Sequence, residues 1–388
     1  MTQALIHPAM LRWARERLHW PPEYVAKKLP VKPEKLALWE LGKAYPTFRQ
    51  AQALARTLRI PFGYLFLSEP PDETPVIPDL RTIRDERHVQ LSVNLLDVLN
   101  DVLRKQDWYR EYLQQEGAEP LPFVGRYSTS DPVADVAKDI CDTLEINDAL
   151  RCKARNWQGF LNLLIERIEH AGILVMRNSV VKNNNHRPLS VEEFRGFALS
   201  DHLAPVVFIN SRDAKAAQIF TVAHELVHLW IDESAISSPD LAHGSTEEDH
   251  QIEQFCNLVA AEVLTPQEDF MLEWSDQENI EQNVARLVRY YKVSSVVVLR
   301  RALELERIDR DSFFEQYRRE LRKRQPIKES SGGDPYATYW TRSSKRLTQT
   351  VISATFEGRL LYREAANLLG IKVKTLEGLR ERIESGSR

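Results

Sequence analysis

One run of 13 residues constrains this chain more than any other: the apolar stretch IFTVAHELVHLWI, residues 219–231. Apart from Thr221, His224, Glu225 and His228 it is entirely hydrophobic, so a helix over it is apolar on nearly every side and belongs inside a core. Residues four apart share one helical face, which sets His224 and His228 side by side. Two imidazoles at that spacing on a buried helix can bind one metal ion, and H-E-x-x-H is the pattern that does so. Glu225 is turned about 100° from His224, so it reaches a water at the metal rather than the metal itself.

A catalytic zinc needs a third protein ligand and an open position for water. A longer pattern with a third histidine six residues past His228 is excluded, because that place holds Ser234. Downstream candidates are His243, Glu247, Glu248, Asp249, His250, Glu253 and Cys256. Glu253, Cys256, Asn257, Ala260 and Ala261 share a helical face, with small residues where it must pack closely on the metal helix. Glu253 is therefore the preferred third ligand and Glu248 the second choice. His243 and His250 are candidate oxyanion stabilisers. Cys152, flanked by Arg151, Lys153 and Arg155, and Cys256 are candidate thiolates that could fill the open zinc position and hold the site inactive.

The surrounding pattern is α+β and mostly α. Short β-branched runs at 172–181 and 204–210 are the convincing strands, and helical periods cover 83–115, 155–170, 249–264, 280–291 and 295–304. The strand Val206 to Ile209 is expected to pair with an extended substrate. Before these, residues 1–68 show four or five short helical stripes broken by Pro21, Pro30, Pro46 and Pro61. Prolines crowd residues 70–78, marking a linker. Residues 362–379 read as helix, turn, helix, and the run RRELRKR at 318–324 is basic. The five resulting segments are 1–70, a helix-turn-helix domain; 71–82, a linker; 83–270, the metal domain; 271–327, a helical extension; and 328–388, a linker with a C-terminal helix-turn-helix-like module.

Charge separates the head from the body. Residues 1–70 carry eleven Lys/Arg against five Asp/Glu, while the whole chain has a net charge of −4. A basic head on an acidic body suits a polyanion partner. No apolar run is long enough for a membrane span, the N-terminus lacks a signal-peptide core, and three scattered cysteines suit a reducing compartment. A cytoplasmic location is expected.

Two stretches, FTVAHELVHLW and IEQFCNLVAAEVLTP, together resemble the ImmA/IrrE family of metallopeptidases. In that family the second stretch runs Glu, two residues, a small residue, Asn, two residues, Ala-Ala and later Pro, here Glu253, Cys256, Asn257, Ala260, Ala261 and Pro266. Cys256 departs from the more usual Ala. The resemblance covers roughly residues 80–310. It implies a zincin-like core, a zinc ion on His224, His228 and Glu253, and Glu225 as the base of an endopeptidase acting on a protein, such as a helix-turn-helix repressor, in a stress or mobile-element response.

The head resembles an Xre-type helix-turn-helix through Val25-Ala26-Lys27-Lys28-Leu29, Leu36, Trp39-Glu40, Gly42, Pro46, Ala55 and Leu58. Lys32, Lys35 and Lys43 are its candidate DNA contacts, although Pro33 and Glu34 stand where small polar residues are usual. The competing reading is a DNA-binding regulator or antitoxin that keeps the peptidase fold as a sensor or scaffold.

Overall fold

The computed structural model describes residues 2–71, 91–237, 247–323 and 335–384. These fall into two compact units, residues 2–71 with 91–97 in the first and residues from 98 onward in the second. The expected linker 71–82 lies almost wholly outside the described residues, as do His243 and the start of the expected 328–388 segment, up to residue 334.

The first unit is helical: Pro8–Glu16 (α1), Pro22–Lys28 (α2), Pro33–Glu40 (α3) and Phe48–Leu58 (α4). Proline opens each of the first three, where its missing N–H costs nothing and its fixed φ favours the first turn. Thr47 and Gln50 form a reciprocal cap at the start of α4. Leu11, Val25, Leu36, Trp39, Leu54 and Leu58 fill the core. Arg15 grips Glu40 with two hydrogen bonds, 2.7 and 3.1 Å, and ties α1 to α3.

The second unit is built on a four-stranded mixed sheet. Val93–Gln115 (α5) runs into it, followed by Val133–Leu144 (α6), Asp148–Lys153 (α7) and Trp157–His170 (α8). The strands are Leu174–Asn178 (β1), Gly196–Leu199 (β4), Val206–Asn210 (β5) and Ala235–Ser237 (β6), and Val180–Val181 (β2) with Asn184–Pro188 (β3) make a separate hairpin. Sheet order is β1-β5-β4-β6, with β1 and β5 parallel and the other pairs antiparallel. β5 therefore lies between two strands and both its edges are taken, which overturns the expectation that it adds a substrate strand. β4 and β6 escaped the sequence reading because GFAL has no β-branched residue and AIS is only three residues long; buried neighbours make them strands.

Lys215–Trp230 (α9) packs on one sheet face, where Val175, Ala198, Val207 and Ile209 meet Ile219, Val222 and Leu226. Phe197 stacks on Phe208 on the other face, ring centroids 4.8 Å apart. Glu247–Leu264 (α10) lies against α9 and α6. Buried guanidinium groups cap its C-terminal end: Arg151 donates to the carbonyls of Val263 and Leu264, and Arg301 to that of Thr265. Cations there complement the carbonyl end of the helix dipole.

Gln267–Glu273 (α11), Ile280–Tyr291 (α12), Ser295–Glu304 (α13) and Arg310–Lys323 (α14) continue the same core through Phe270, Leu287, Tyr291, Val298 and Phe313. The basic run begins on α14, where Arg319 pairs with Glu281 and Glu315. Pro335–Arg342 (α15), Lys345–Phe356 (α16), Tyr362–Leu369 (α17) and Val373–Glu384 (α18) complete the unit. Buried Glu169 holds this segment to the body by accepting from Ser344 Oγ at 2.5 Å and Lys345 N at 2.9 Å. Among the described residues no helix is long and apolar enough to cross a membrane.

Candidate metal centre

Every residue of α9 from Thr221 to Trp230 is buried. The helix is pinned at its C-terminal end, where Trp230 stacks on Phe123 at 4.5 Å and donates from Nε1 to Asp139 at 2.7 Å. Inside it, His224 Nε2 and His228 Nε2 are 3.2 Å apart. Glu253 approaches from α10, its Oε2 3.2 Å from His224 Nε2 and its Oε1 3.6 Å from His228 Nε2. One donor atom from each residue lies within 4.8 Å of the others.

This set fits a zinc ion. Donor atoms about 2.1 Å from one tetrahedral zinc stand about 3.4 Å apart, close to the spacings seen here, and two imidazoles with one carboxylate are a donor set that zinc accepts. The histidines are 4% and 0% exposed while the Glu253 side chain is 41% exposed, so the cluster is closed behind the imidazoles and open on the Glu253 side.

Electrostatics couple the three groups. Burial alone would push the Glu253 carboxyl up, but hydrogen bonds and charge from His224 and His228 outweigh it and hold it far below the ordinary range. Burial works to lower His224, and the Glu253 carboxylate overrides it so that His224 is raised; at His228 burial prevails and the ring is lowered.

Glu225 points elsewhere, as its offset on the helix requires. It is 0% exposed. Burial pushes its carboxyl up to about 8. Gly196 of β4 lies directly against it, with room for no side chain: a Cβ there would stand 2.8 Å from Glu225 Oε1 and 2.6 Å from Thr221 Cγ2. Sequence reasoning missed Gly196; an isolated glycine within a strand is a sign of close approach, but β4 itself had not been recognised.

The cysteines do not reach the open side. Cys256 is fully buried, with Sγ 3.8 Å from His228 Nδ1, the ring nitrogen turned away from Glu253. Burial raises its thiol well above the usual range. It therefore backs the imidazole and cannot fill a fourth metal position. Cys152 is exposed on α7, next to Arg151, which binds carbonyls ten and eleven residues beyond Glu253 on α10. That is about 15 Å along the helix. The capping expectation fails for both thiols.

Of the other candidates, Glu247 and His250 are exposed at the start of α10, and the Glu248 side chain lies outside the described residues. Lys32, Lys35 and Lys43 are all exposed on the first unit, around α3. The outward face of α3 also presents Pro33, Glu34, Ala37 and Leu38, and none of these can donate a side-chain hydrogen bond to a base.

Comparison with known families finds three matched segments. Residues 168–303 match the IrrE N-terminal-like domain of the M78 peptidases, residues 11–65 match the helix-turn-helix family, and residues 343–382 match a domain of unknown function (DUF8813). The first two matches give a helix-turn-helix plus ImmA/IrrE architecture. No curated protein matches the chain.

Proposed function

We propose that this helix-turn-helix and IrrE-like chain is a zinc-dependent endopeptidase that cuts a partner protein. The observation that carries the reading is the convergence of His224, His228 and Glu253 on one point, with the fully buried Glu225 carboxyl one residue along the same helix from His224. His224, His228 and Glu253 would hold the metal, with Glu253 as the ligand that solvent can reach. Bound there, zinc supplies Lewis acidity to the scissile carbonyl and to a water. In its ionised form Glu225 takes the proton of the attacking water and returns it to the leaving amine. Its close packing against Gly196 limits where the carboxylate can move.

The matched helix-turn-helix supports DNA binding by the head, with Lys32, Lys35 and Lys43 contacting phosphates. A protein that combines the two activities is suited to cutting a repressor in a stress or mobile-element response, within the cytoplasm. Metal content by mass spectrometry, on wild type beside Glu253→Ala and Glu225→Gln, tests the proposal. One zinc per chain is expected in wild type and in Glu225→Gln, with a sharp fall in Glu253→Ala. Cleavage of a candidate repressor is expected in wild type alone. Zinc-free folded wild type would favour the regulator reading.

A further inference from the structure

The segment 343–382, matched only to a domain of unknown function, has the architecture of a second helix-turn-helix. α16, α17 and α18 pack pairwise, and they bury Leu347, Val351, Ala365, Leu369, Leu376 and Leu379. Gly370 closes the turn between α17 and α18 in the left-handed region, φ +67°, where a side chain is disfavoured. On α18 and its approach, Lys372, Val373, Lys374 and Glu377 are exposed. Neither Lys372 nor Lys374 has a carboxylate partner among the described residues.

The β2–β3 hairpin stands beside this turn. Asn183 at its tip donates from Nδ2 to the Gly370 carbonyl at 2.5 Å and accepts from Arg342 at 2.6 Å. Arg104 of α5 donates to the Asn367 carbonyl at 3.2 Å. The hairpin tip is thus clamped to the turn, and it leaves Lys182, Asn184, Asn185 and His186 exposed next to it. Charge follows the geometry: residues 343–382 carry eight Lys/Arg against four Asp/Glu, and residues 180–188 carry two basic residues and no acidic one, in a chain of net charge −4.

We propose that the C-terminal three-helix module and the Val180–Pro188 hairpin form one binding site for duplex DNA. α18 enters the major groove, and the Lys182 tip follows the flanking backbone. A helix that opens on Lys372 and Lys374, held beside a basic hairpin, fits B-form DNA, whose major groove is about 12 Å wide and admits a helix. The deep, narrow major groove of A-form RNA does not. Both α3 and α18 open with two exposed lysines, Lys32 and Lys35 on the one and Lys372 and Lys374 on the other, but at α18 Val373 stands between them where α3 places Pro33 and the acidic Glu34. The site is independent of the peptidase reading.

The test is fluorescence anisotropy of the full chain on a labelled mixed-sequence DNA duplex three helical turns long, titrated at several salt concentrations. Lys372→Ala/Lys374→Ala is expected to weaken binding about tenfold and to flatten the log–log salt dependence by about two, since each lost phosphate contact removes about 0.9. Lys182→Ala shifts both in the same direction by about half as much, and Glu225→Gln leaves both unchanged. All these lysines are exposed, so equal melting temperatures and metal contents show that the fold is intact. The proposal is overturned if DNA binding survives the C-terminal and hairpin variants and is lost only in Lys32→Ala/Lys35→Ala/Lys43→Ala. Duplex RNA bound as tightly as DNA would also overturn it. So would the absence of DNA binding at low salt, which would leave the face to a protein partner.

Discussion

Gly196 and Glu225 touch across the boundary between sheet and metal helix: a Cβ on Gly196 would stand 2.8 Å from Glu225 Oε1 and 2.9 Å from the Phe208 carbonyl oxygen. Only glycine lets the carboxylate lie flat against β4. Gly196→Ala must displace Glu225, the Thr221 methyl 2.6 Å from the new Cβ, or the strand, and the three nearest atoms include none of His224, His228 and Glu253. The expected outcome is near-normal metal content with cleavage reduced about a hundredfold, the scale of a 1 Å misplacement. Loss of metal along with activity would mean that the strand, rather than the carboxylate, had moved.

The helix that carries Glu253 depends on its far end. Arg301 is 2% exposed and joins the Thr265 carbonyl to Glu262 and Glu304. Arg301→Met leaves the buried Thr265 carbonyl and the half-buried Glu262 carboxylate without their cation, which costs about 1–3 kcal/mol. Chemical denaturation should show that loss. Arg301→Lys should recover only part of it, because an ammonium group cannot match the guanidinium fork.

What the sequence disclosed, and what it did not, divides along physical lines. The histidine pair and Glu253 were legible because residues three or four apart on a helix share a face, in the H-E-x-x-H run and again in Glu253, Cys256, Asn257 and Ala260. Orientation across the core was not: Cys256 shares the face of Glu253, yet its thiol lies behind His228, which only the packing of α10 on α9 decides. Strand order was equally hidden, since nothing in VVFIN says that β5 has neighbours on both sides. The docking of the C-terminal segment rests on Glu169 and Ser344, 175 positions apart, a separation at which no local pattern speaks.

Cys256 offers a test of the thiol's place. A thiol capping the metal would restrain the enzyme, and its removal would raise activity. From its position behind His228 Nδ1, Cys256→Ala should instead lower metal affinity slightly, by less than the roughly tenfold typical of a strong outer partner, because sulfur is a weak one. Cys152→Ser should change neither quantity. Zinc titration with a competing chelator separates the two accounts, and a rise in cleavage rate in either variant would restore the capping role.

Glu169 makes the docking of the C-terminal segment depend on pH. Burial pushes its carboxyl above the ordinary range, and the bonds from Ser344 and Lys345 only partly offset that push. The folded state therefore binds this proton more tightly than the unfolded chain does, and stability from this group falls as pH rises through the folded pKa. Glutamine keeps an acceptor for Ser344 Oγ and Lys345 N without the buried charge. Glu169→Gln should match wild type at a pH below the ordinary carboxylate pKa, where both side chains are neutral, and melt higher at pH 8, where only wild type carries the charge. Melting curves at the two pH values decide it: a variant that is less stable at pH 8 would mean that the charged hydrogen bonds outweigh burial, and that the carboxylate itself holds the segment in place.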